Sequence, residues 1–363
     1  MTTQTERVVF QGGGEFYAKT RRDVDAYLAL PGVRRSALIQ LWLKATVGFV
    51  LLLGGWTYLV FDATSLGEAL PAFASLLVGA IIVSVCLLHD ANHGAFFRAR
   101  WKNYVLAWIV DVVLGFSTYF WRRKHNVHHA FPNVDGLDDD IAHMPLARMS
   151  PDQPFRPWYR WQPTYIWILY GLALPRWHVT DLLGLRGTRS LHSSRPNAVE
   201  VAGIIGGKLL FVTWVFAIPL TRHGWETVLS TYVVFTVTAS FVMAIVFQLA
   251  HCVEEADFLT QDEVQSKHPV WAIHEVQSTA DFCQANPVIT WLFGSLNFQI
   301  EHHLFPRIPH THYPRIAGIV RGNAEVYGVR YTAHSSLRSA LRSHHNHVCA
   351  TSRCGLPVEI EMG

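Results

Sequence analysis

Three short runs of this 363-residue chain carry histidines at spacings that could bring several ring nitrogens onto a metal ion. They read His89-Asp-Ala-Asn-His93, His125-Asn-Val-His128-His129 and Gln299-Ile-Glu-His302-His303. Histidines three or four residues apart sit one above the other on a helix, so a single face can offer two imidazoles. Seven imidazoles exceed the shell of one first-row ion, which about four to six ligands fill, so two ions are the economical reading. His251, at the end of a long apolar run, adds an eighth from a fourth segment. Imidazole suits zinc, copper, iron and nickel, and the ligand type alone does not choose. Zinc has no redox chemistry and leaves a paired, histidine-rich site unexplained. Iron is an inference from setting: such a pair could bind dioxygen and, after electron input, attack an unactivated C–H bond.

Each run has a bland reading. A histidine at the watery end of a membrane span is commonly structural, and the second run could be a solvated basic face. Glu301-His302 and His274-Glu275 both fail the HExxH test for a zinc protease. The argument rests on convergence of separate segments, not on any one run.

The elements that must position these histidines read as membrane spans. Charged residues make up 16% of the chain against about a quarter in soluble domains, a balance that leans toward a membrane protein. The aromatic content of 13% suits interfacial belts and acyl pockets. The fold class expected is all-α: a polytopic integral membrane protein with about four transmembrane helices, interfacial helices, and a cytoplasmic helical cap holding the metal site. The spans fall at about 40–61, 68–88, 198–220 and 227–250, with Lys44 snorkelling from the flank of the first and Pro71 in the first turn of the second. Residues 103–120 are interrupted by Asp111 and read as an interfacial or re-entrant helix. The Trp- and Arg-rich stretch 150–196 reads as surface-lying helices. Lys208 inside the third span needs a partner that the sequence does not name. Residues 1–36 form a cytoplasmic N-terminal segment with a short amphipathic helix, 37–330 the membrane domain, and 331–363 a flexible tail in which His344, His345 and His347 are disordered.

The two outer loops carry only Arg222, whereas the inner segments carry Arg98, Arg100, Lys102, Arg122, Arg123 and Lys124, among others. Positive charge marks the cytoplasmic side, so both termini and all three histidine runs are expected there. The first thirty-odd residues hold no apolar core of a signal peptide, and insertion is expected to use the internal spans. Cys86, Cys252, Cys283, Cys349 and Cys354 form no CxxC pair and are expected to be free thiols in a reducing compartment. The net charge of +3 is modest, and no nucleic-acid partner is expected.

With these residues in hand, the chain resembles the membrane fatty acid desaturases, whose signature is three histidine boxes. HDANH, HNVHH and QIEHH resemble the boxes in order, and the likeness extends to HHAFPNVDGLDDDI from His128 to Ile141 and to GSLNFQIEHHLFPRIPH. Trp161-Gln162, Tyr165, Tyr170, Trp177 and Asp181 resemble the family's interfacial helices, and the whole likeness covers roughly residues 15–330. The combined boxes are a specific signature. The resemblance implies a di-iron centre held by His89, His93, His125, His128, His129, His251, His302 and His303. It implies that dioxygen and two electrons remove two hydrogens from adjacent methylenes of an acyl-CoA or acyl-lipid, leaving a cis double bond. Gln299, in place of the first histidine of box three, resembles the front-end subgroup; a weak ligand, an orienting group and a bystander remain open for it. Many front-end relatives carry a fused haem domain marked HPGG; this chain lacks that motif. An external carrier such as ferredoxin with its reductase is therefore expected; Arg122-Arg123-Lys124, with Arg98, Arg100 and Lys102, reads equally as its docking surface, as a holder of a coenzyme A phosphate or lipid headgroup, or as a simple positive-inside anchor.

Asp90, Asn92 and Asp138 are candidates to orient the histidines from behind, as carboxylates commonly do for metal ligands. Asp139 and Asp140 equally read as a solvated helix start, and Glu254 and Glu255 as a solvated face. Trp101, Tyr104, Trp108, Phe116 and Trp121 are candidates to line an acyl tunnel, although aromatics near an interface are often anchors. The rivals are a membrane hydroxylase or ketolase acting on alkyl, sterol or carotenoid substrates, and a non-catalytic membrane metal-binding protein. Oxygen retained in the product would mark the first, and an unchanged lipid pool the second.

Overall fold

Apolar composition and glycine placement together set the architecture. The computed structural model describes residues 8–186 and 195–353. Residues 1–7 of the N-terminal segment, 187–194 of the Trp- and Arg-rich stretch, and 354–363 of the expected tail, with Cys354, lie outside the described residues.

The chain begins with α1 (Gly14–Ala29), followed by the first span, α2 (Val33–Phe61), and the second, α3 (Leu66–Asn92). These two lie close because small residues face each other. A Cβ on Gly79 would fall 2.3 Å from the Leu52 backbone nitrogen, and one on Gly55 2.5 Å from that of Leu76. Such contacts let apolar helices pack in lipid, where burial from water supplies no drive between them. The third and fourth spans are α8 (Ala198–Thr221) and α9 (Trp225–His251). Among the described residues four helices are long and apolar enough to cross a membrane, the expected number. Two run further than the hydropathy read: α3 continues to Asn92 and α9 to His251, so histidines ride on the span ends.

Between the second and third spans lie α4 (Arg100–Leu114) and α5 (Thr118–His128), meeting at 111°. The pair dips into the bundle and returns. His125 near the end of α5 reaches His93, before α4 begins, at 3.0 Å, so both ends share one face. The tip is a left-handed Gly115 (φ 75°), where a Cβ would meet the His178 and Phe211 rings at 2.7 Å. Asp111, which interrupts the apolar run, accepts from the Thr118 backbone N–H and hydroxyl, each at 3.0 Å, and so closes the bend.

Two interfacial helices follow, α6 (Gln162–Tyr170) and α7 (Ala173–Leu185), before α8. Lys208 finds its partner here: Nζ donates to Asp181 at 2.8 Å and to the Gly115 carbonyl at 3.0 Å. Asp181 also accepts from the Ser117 backbone N–H at 2.7 Å. A charge inside a span thus staples the re-entrant tip in place, as an intramembrane ion must be satisfied internally.

After α9 the chain forms a cap of short helices: α10 (Gln261–Lys267), α11 (Trp271–Gln277), α12 (Pro287–Leu292), α13 (Gln299–Leu304), α14 (Tyr313–Tyr327) and α15 (Leu337–Thr351). Its core packs Phe16 and Val24 of α1 against Val276, Ile300, Leu304, Ile316 and Val320. The amphipathic N-terminal helix read from the sequence is therefore part of the cap.

Two expectations need correction. Lys44 does not snorkel: it is buried, with Nζ 3.0 Å from His310 Nε2. Residues 337–351 are not a flexible tail but α15, started by a Ser336 cap on the Ser339 N–H. His344 and His347 are buried there; His344 bonds the Cys252 carbonyl at 2.7 Å and the Tyr170 hydroxyl at 2.8 Å, and His347 the Met149 carbonyl at 2.8 Å. Basic composition hid an amphipathic helix. Glu254 and Glu255 are exposed, as read, and also meet Asn346 and Ser343 of α15 at 2.9 and 2.5 Å, tying it to the end of α9.

Gly79→Val should overpack the α2–α3 contact and cost about 1–3 kcal/mol, the usual scale for such insertions. A thermal-unfolding series in detergent checks it, with Gly206→Val, where nothing lies within 4 Å, as the tolerated comparison.

Candidate metal centre

Four elements end at one point below the bundle. The end of α3 supplies His89 and His93, preceded by a π-helical segment, Val83–Leu88. Such a wide turn re-phases the side chains that follow it and is a recurrent feature of functional sites. The returning arm α5 supplies His125 and His128, with His129 just beyond it. The last residue of α9 is His251, and α13 supplies His302 and His303.

All eight sequence-predicted histidines meet. Ring nitrogens of His89, His93, His125 and His302 lie within 4.8 Å of one another, and so do those of His128, His251 and His303. His129 stands between the groups. Its Nε2 is 3.1 Å from His125 Nε2, and its ring lies 4.5 Å from that of His302 and 4.3 Å from that of His303.

The orientation of the rings is more informative than their proximity. Three outward nitrogens are anchored: His128 Nδ1 on Asp138 at 2.9 Å, His303 Nδ1 on Glu275 at 2.8 Å, His302 Nδ1 on the Tyr313 hydroxyl at 3.2 Å, whereas Nδ1 of His89, His129 and His251 is buried without a partner. Inward nitrogens face only one another. His125 and His93 bring Nε2 atoms to 3.0 Å and His128 and His251 to 3.3 Å, while Nε2 of His89, His302 and His303 is buried with no partner. A buried polar atom without a partner is costly, and many such lone pairs aimed at one space define a cation site. Burial and neighbouring imidazoles push His302 and His303 well below the ordinary histidine range, which keeps them neutral, the form that binds a metal. Burial drives the Glu275 carboxyl well above its usual range, so it needs positive charge beyond His303 to stay ionised. The donor set therefore fits a pair of metal ions.

The groups expected to stand behind the histidines divide. Asp138 bonds His128 and accepts from the Asn133 backbone N–H at 2.9 Å. Asp90 does not hold a box histidine by a short bond; it accepts from His310 Nδ1 at 2.9 Å, and His310 meets Lys44. Asn92 has both side-chain polar atoms buried without a partner, and Gln299 is buried with Nε2 likewise unpartnered. Asp140 pairs with Lys124 at 2.5 Å and is not simply solvated.

The tunnel candidates split by helix face. Trp101, Tyr104 and Trp108 are spaced three and four apart on α4 and point outward, with Trp101 65% and Tyr104 55% exposed. They are anchors: Lys102 lies over Trp101, Arg122 over Tyr104, and Trp108 Nε1 donates to the Gly203 carbonyl at 2.9 Å. Phe116 and Trp121 lie past the tip and face inward, lining a narrow apolar pocket with Ser84, Leu88 and His89. Trp121 also stacks on His125 with ring centres 4.2 Å apart.

Sequence reasoning missed Glu275, His310 and Tyr313. Glu275 had been weighed only against a protease motif. His310 sits in the quoted box-three region without a role, and its adjacency to the box was the available signal.

The model of the family described as "Fatty acid desaturase" matches residues 67–335. The chain is 33% identical over 352 residues to the sn-1 linoleoyl-lipid 6-desaturase of Arthrospira platensis, covering 95% of each chain. It is also 33% identical to the enzyme of that name from Synechocystis sp., over 94% of this chain and 96% of that one. The Acyl-lipid (8-3)-desaturase of Physcomitrium patens is 33% identical over 92% of this chain and 71% of its own length. The chain belongs to the fatty acid desaturase family. It is a membrane-embedded fatty acyl desaturase, an oxidoreductase of lipid metabolism, which sets aside the hydroxylase and the non-catalytic readings.

Asp138→Asn and Glu275→Gln should each weaken metal retention about 10–100-fold, the cost of losing a carboxylate behind a ligating histidine. Metal content after a graded chelator challenge measures it; retention equal to the parent protein would refute the orienting role.

Proposed function

We propose that this chain is a front-end acyl-lipid desaturase holding two iron ions. His89, His93, His125 and His302 serve one ion, His128, His251 and His303 the other, and His129 lies between them. The observation that carries the reading is the set of inward Nε2 atoms, buried and facing only one another, with the outward nitrogens of His128, His302 and His303 fixed. Bound iron would supply reduction of one dioxygen with two electrons and two protons, coupled to loss of two hydrogens from adjacent methylenes, giving a cis double bond and two waters.

The chain's own residues do the rest. Asp138, Glu275 and Tyr313 hold three rings in the orientation that turns Nε2 inward. Trp121, Phe116 and Leu88 make the approach to His89 apolar, which excludes water from the reacting methylenes. A wider pocket of about 500 Å³ opens from Trp121, Trp177 and Phe247 toward α6 and α7 and is edged by Arg176, His143 and the Lys124–Asp140 pair. Its polar rim supports entry of a lipid whose headgroup stays at the surface. The names of the relatives support an acyl-lipid over an acyl-CoA. Positive charge beside the inner ends of the spans supports a cytoplasmic centre and termini. An external carrier such as ferredoxin with its reductase supplies the electrons.

Expression in a host with suitable glycerolipids, followed by fatty-acid profiling of each lipid class under labelled dioxygen, tests the proposal. The parent chain should yield a new cis double bond in lipid-bound acyl groups, no retained label, and two irons per chain; His302→Ala should yield none of the product. Product arising first in the acyl-CoA pool would overturn the acyl-lipid assignment, and retained label the desaturation.

A further inference from the structure

A lysine buried near the inner end of a span needs a reason, because replacing a buried ion pair by apolar residues of similar volume is often neutral or stabilising. Lys44 of α2 is 3% exposed, and its hydrogen-bond partner among the described residues is His310 Nε2, at 3.0 Å. His310 in turn meets Asp90 Oδ2, through Nδ1 at 2.9 Å and through its backbone N–H at 3.3 Å. Asp90 and His310 are buried as well. A lysine on one span is thus joined, through a cap residue, to the acid that follows His89.

The direction of this chain is fixed by its ends. An ammonium only donates and a carboxylate only accepts, so His310 Nε2 carries the lone pair and Nδ1 the proton. The imidazole is therefore neutral. It links the two charges without adding one, and Lys44 and Asp90 balance across it.

The other oxygen of Asp90, Oδ1, lies 4.0 Å from Nδ1 of His89, a nitrogen buried without a hydrogen-bond partner. Among the described residues, the carboxylates within 4.0 Å of a nitrogen of the eight histidines are Asp90, Asp138, Asp140 and Glu275. Glu301 and Asp281 instead share the Tyr331 hydroxyl behind the third box. Asp140 is paired with Lys124, and Asp90 is matched by Lys44 through His310. Asp138 and Glu275 form ion pairs only with His128 and His303, which belong to one group of ligands. Negative charge is therefore left free behind that group and balanced behind the other.

We propose that Lys44 is a positioning residue: acting through His310, it sets how much of the Asp90 charge reaches the ion held by His89, His93, His125 and His302. With Lys44 in place the charge behind that ion is balanced, and the two ions are inequivalent. This inference rests on the two-ion reading above.

The test reloads the metal-free full chain with isotopically enriched iron and follows retention of each ion against a chelator. Its Mössbauer spectrum separates inequivalent irons into two doublets. Lys44→Met leaves the carboxylate unbalanced, so one ion should be held about tenfold more tightly, the low end of what a group behind a ligand contributes. Only one doublet should move. Asp90→Asn leaves the ammonium unbalanced and should loosen the same ion by a similar factor. Lys44→Met/Asp90→Asn removes both charges and should bring retention back toward that of the parent chain.

A role in packing alone gives the opposite sign, because every change would loosen the first box and the losses would add. Weaker or unchanged retention in Lys44→Met, a double variant worse than Asp90→Asn, or an equal shift of both doublets overturns the proposal. Should Lys44→Met not fold, the other two variants decide, by whether the second substitution reverses the loss caused by the first. The parent spectrum decides without any variant: two irons in a single doublet overturn the inference alone. Fewer than two irons in the parent chain overturn the two-ion reading, and this inference falls with it.

Discussion

Everything in this molecule is arranged around a set of buried imidazole nitrogens that have only each other to face. Placed in a dry interior with no cation between them, such lone pairs repel and go unsatisfied. The protein accepts that arrangement because each ring is held from outside by a carboxylate, a phenol or tight packing. The cap helices are held as firmly as a core because two of the anchors, Glu275 and Tyr313, come from them. A site of this kind is preorganised by groups that never touch the reacting atoms.

The same constraint explains the irregular parts of the membrane region. A regular helix through residues 83–93 would not re-phase His89 and His93 against the second box; the π-helical turn does so. A full crossing by residues 100–128 would carry the second box to the far side of the membrane. The bend at Gly115 returns it. That bend leaves polar backbone deep among apolar helices, where it must be satisfied internally. Lys208, Asp181, Asp111 and Thr118 perform that task, and the cost of placing a lysine within a span is offset by fixing the tip of the hairpin.

The hairpin tip also places apolar side chains toward the centre. Phe116 and Trp121 line the narrow pocket that reaches His89, and one short stretch of backbone positions both.

How much of this was legible from the sequence depends on the kind of signal. The four spans, the eight histidines and the single face they share follow from local facts: runs of apolar residues, helical spacing, and charge beside span ends. These properties belong to neighbours in the chain and survive in one dimension. What stood behind the histidines did not. Glu275 and Tyr313 are 28 and 11 residues from the rings they hold, Asp138 lies outside the helix that carries its partner His128, and Lys44 meets His310 across 266 residues. The tryptophans of α4 looked like tunnel residues until the helix face was known, and the histidine-rich end looked disordered until its partners on α9 and α6 appeared. Composition and spacing decide which side chains are present and which helix they ride on. Which polar group satisfies another, and which face looks inward, is settled only when distant segments pack, because desolvation penalises every wrong pairing.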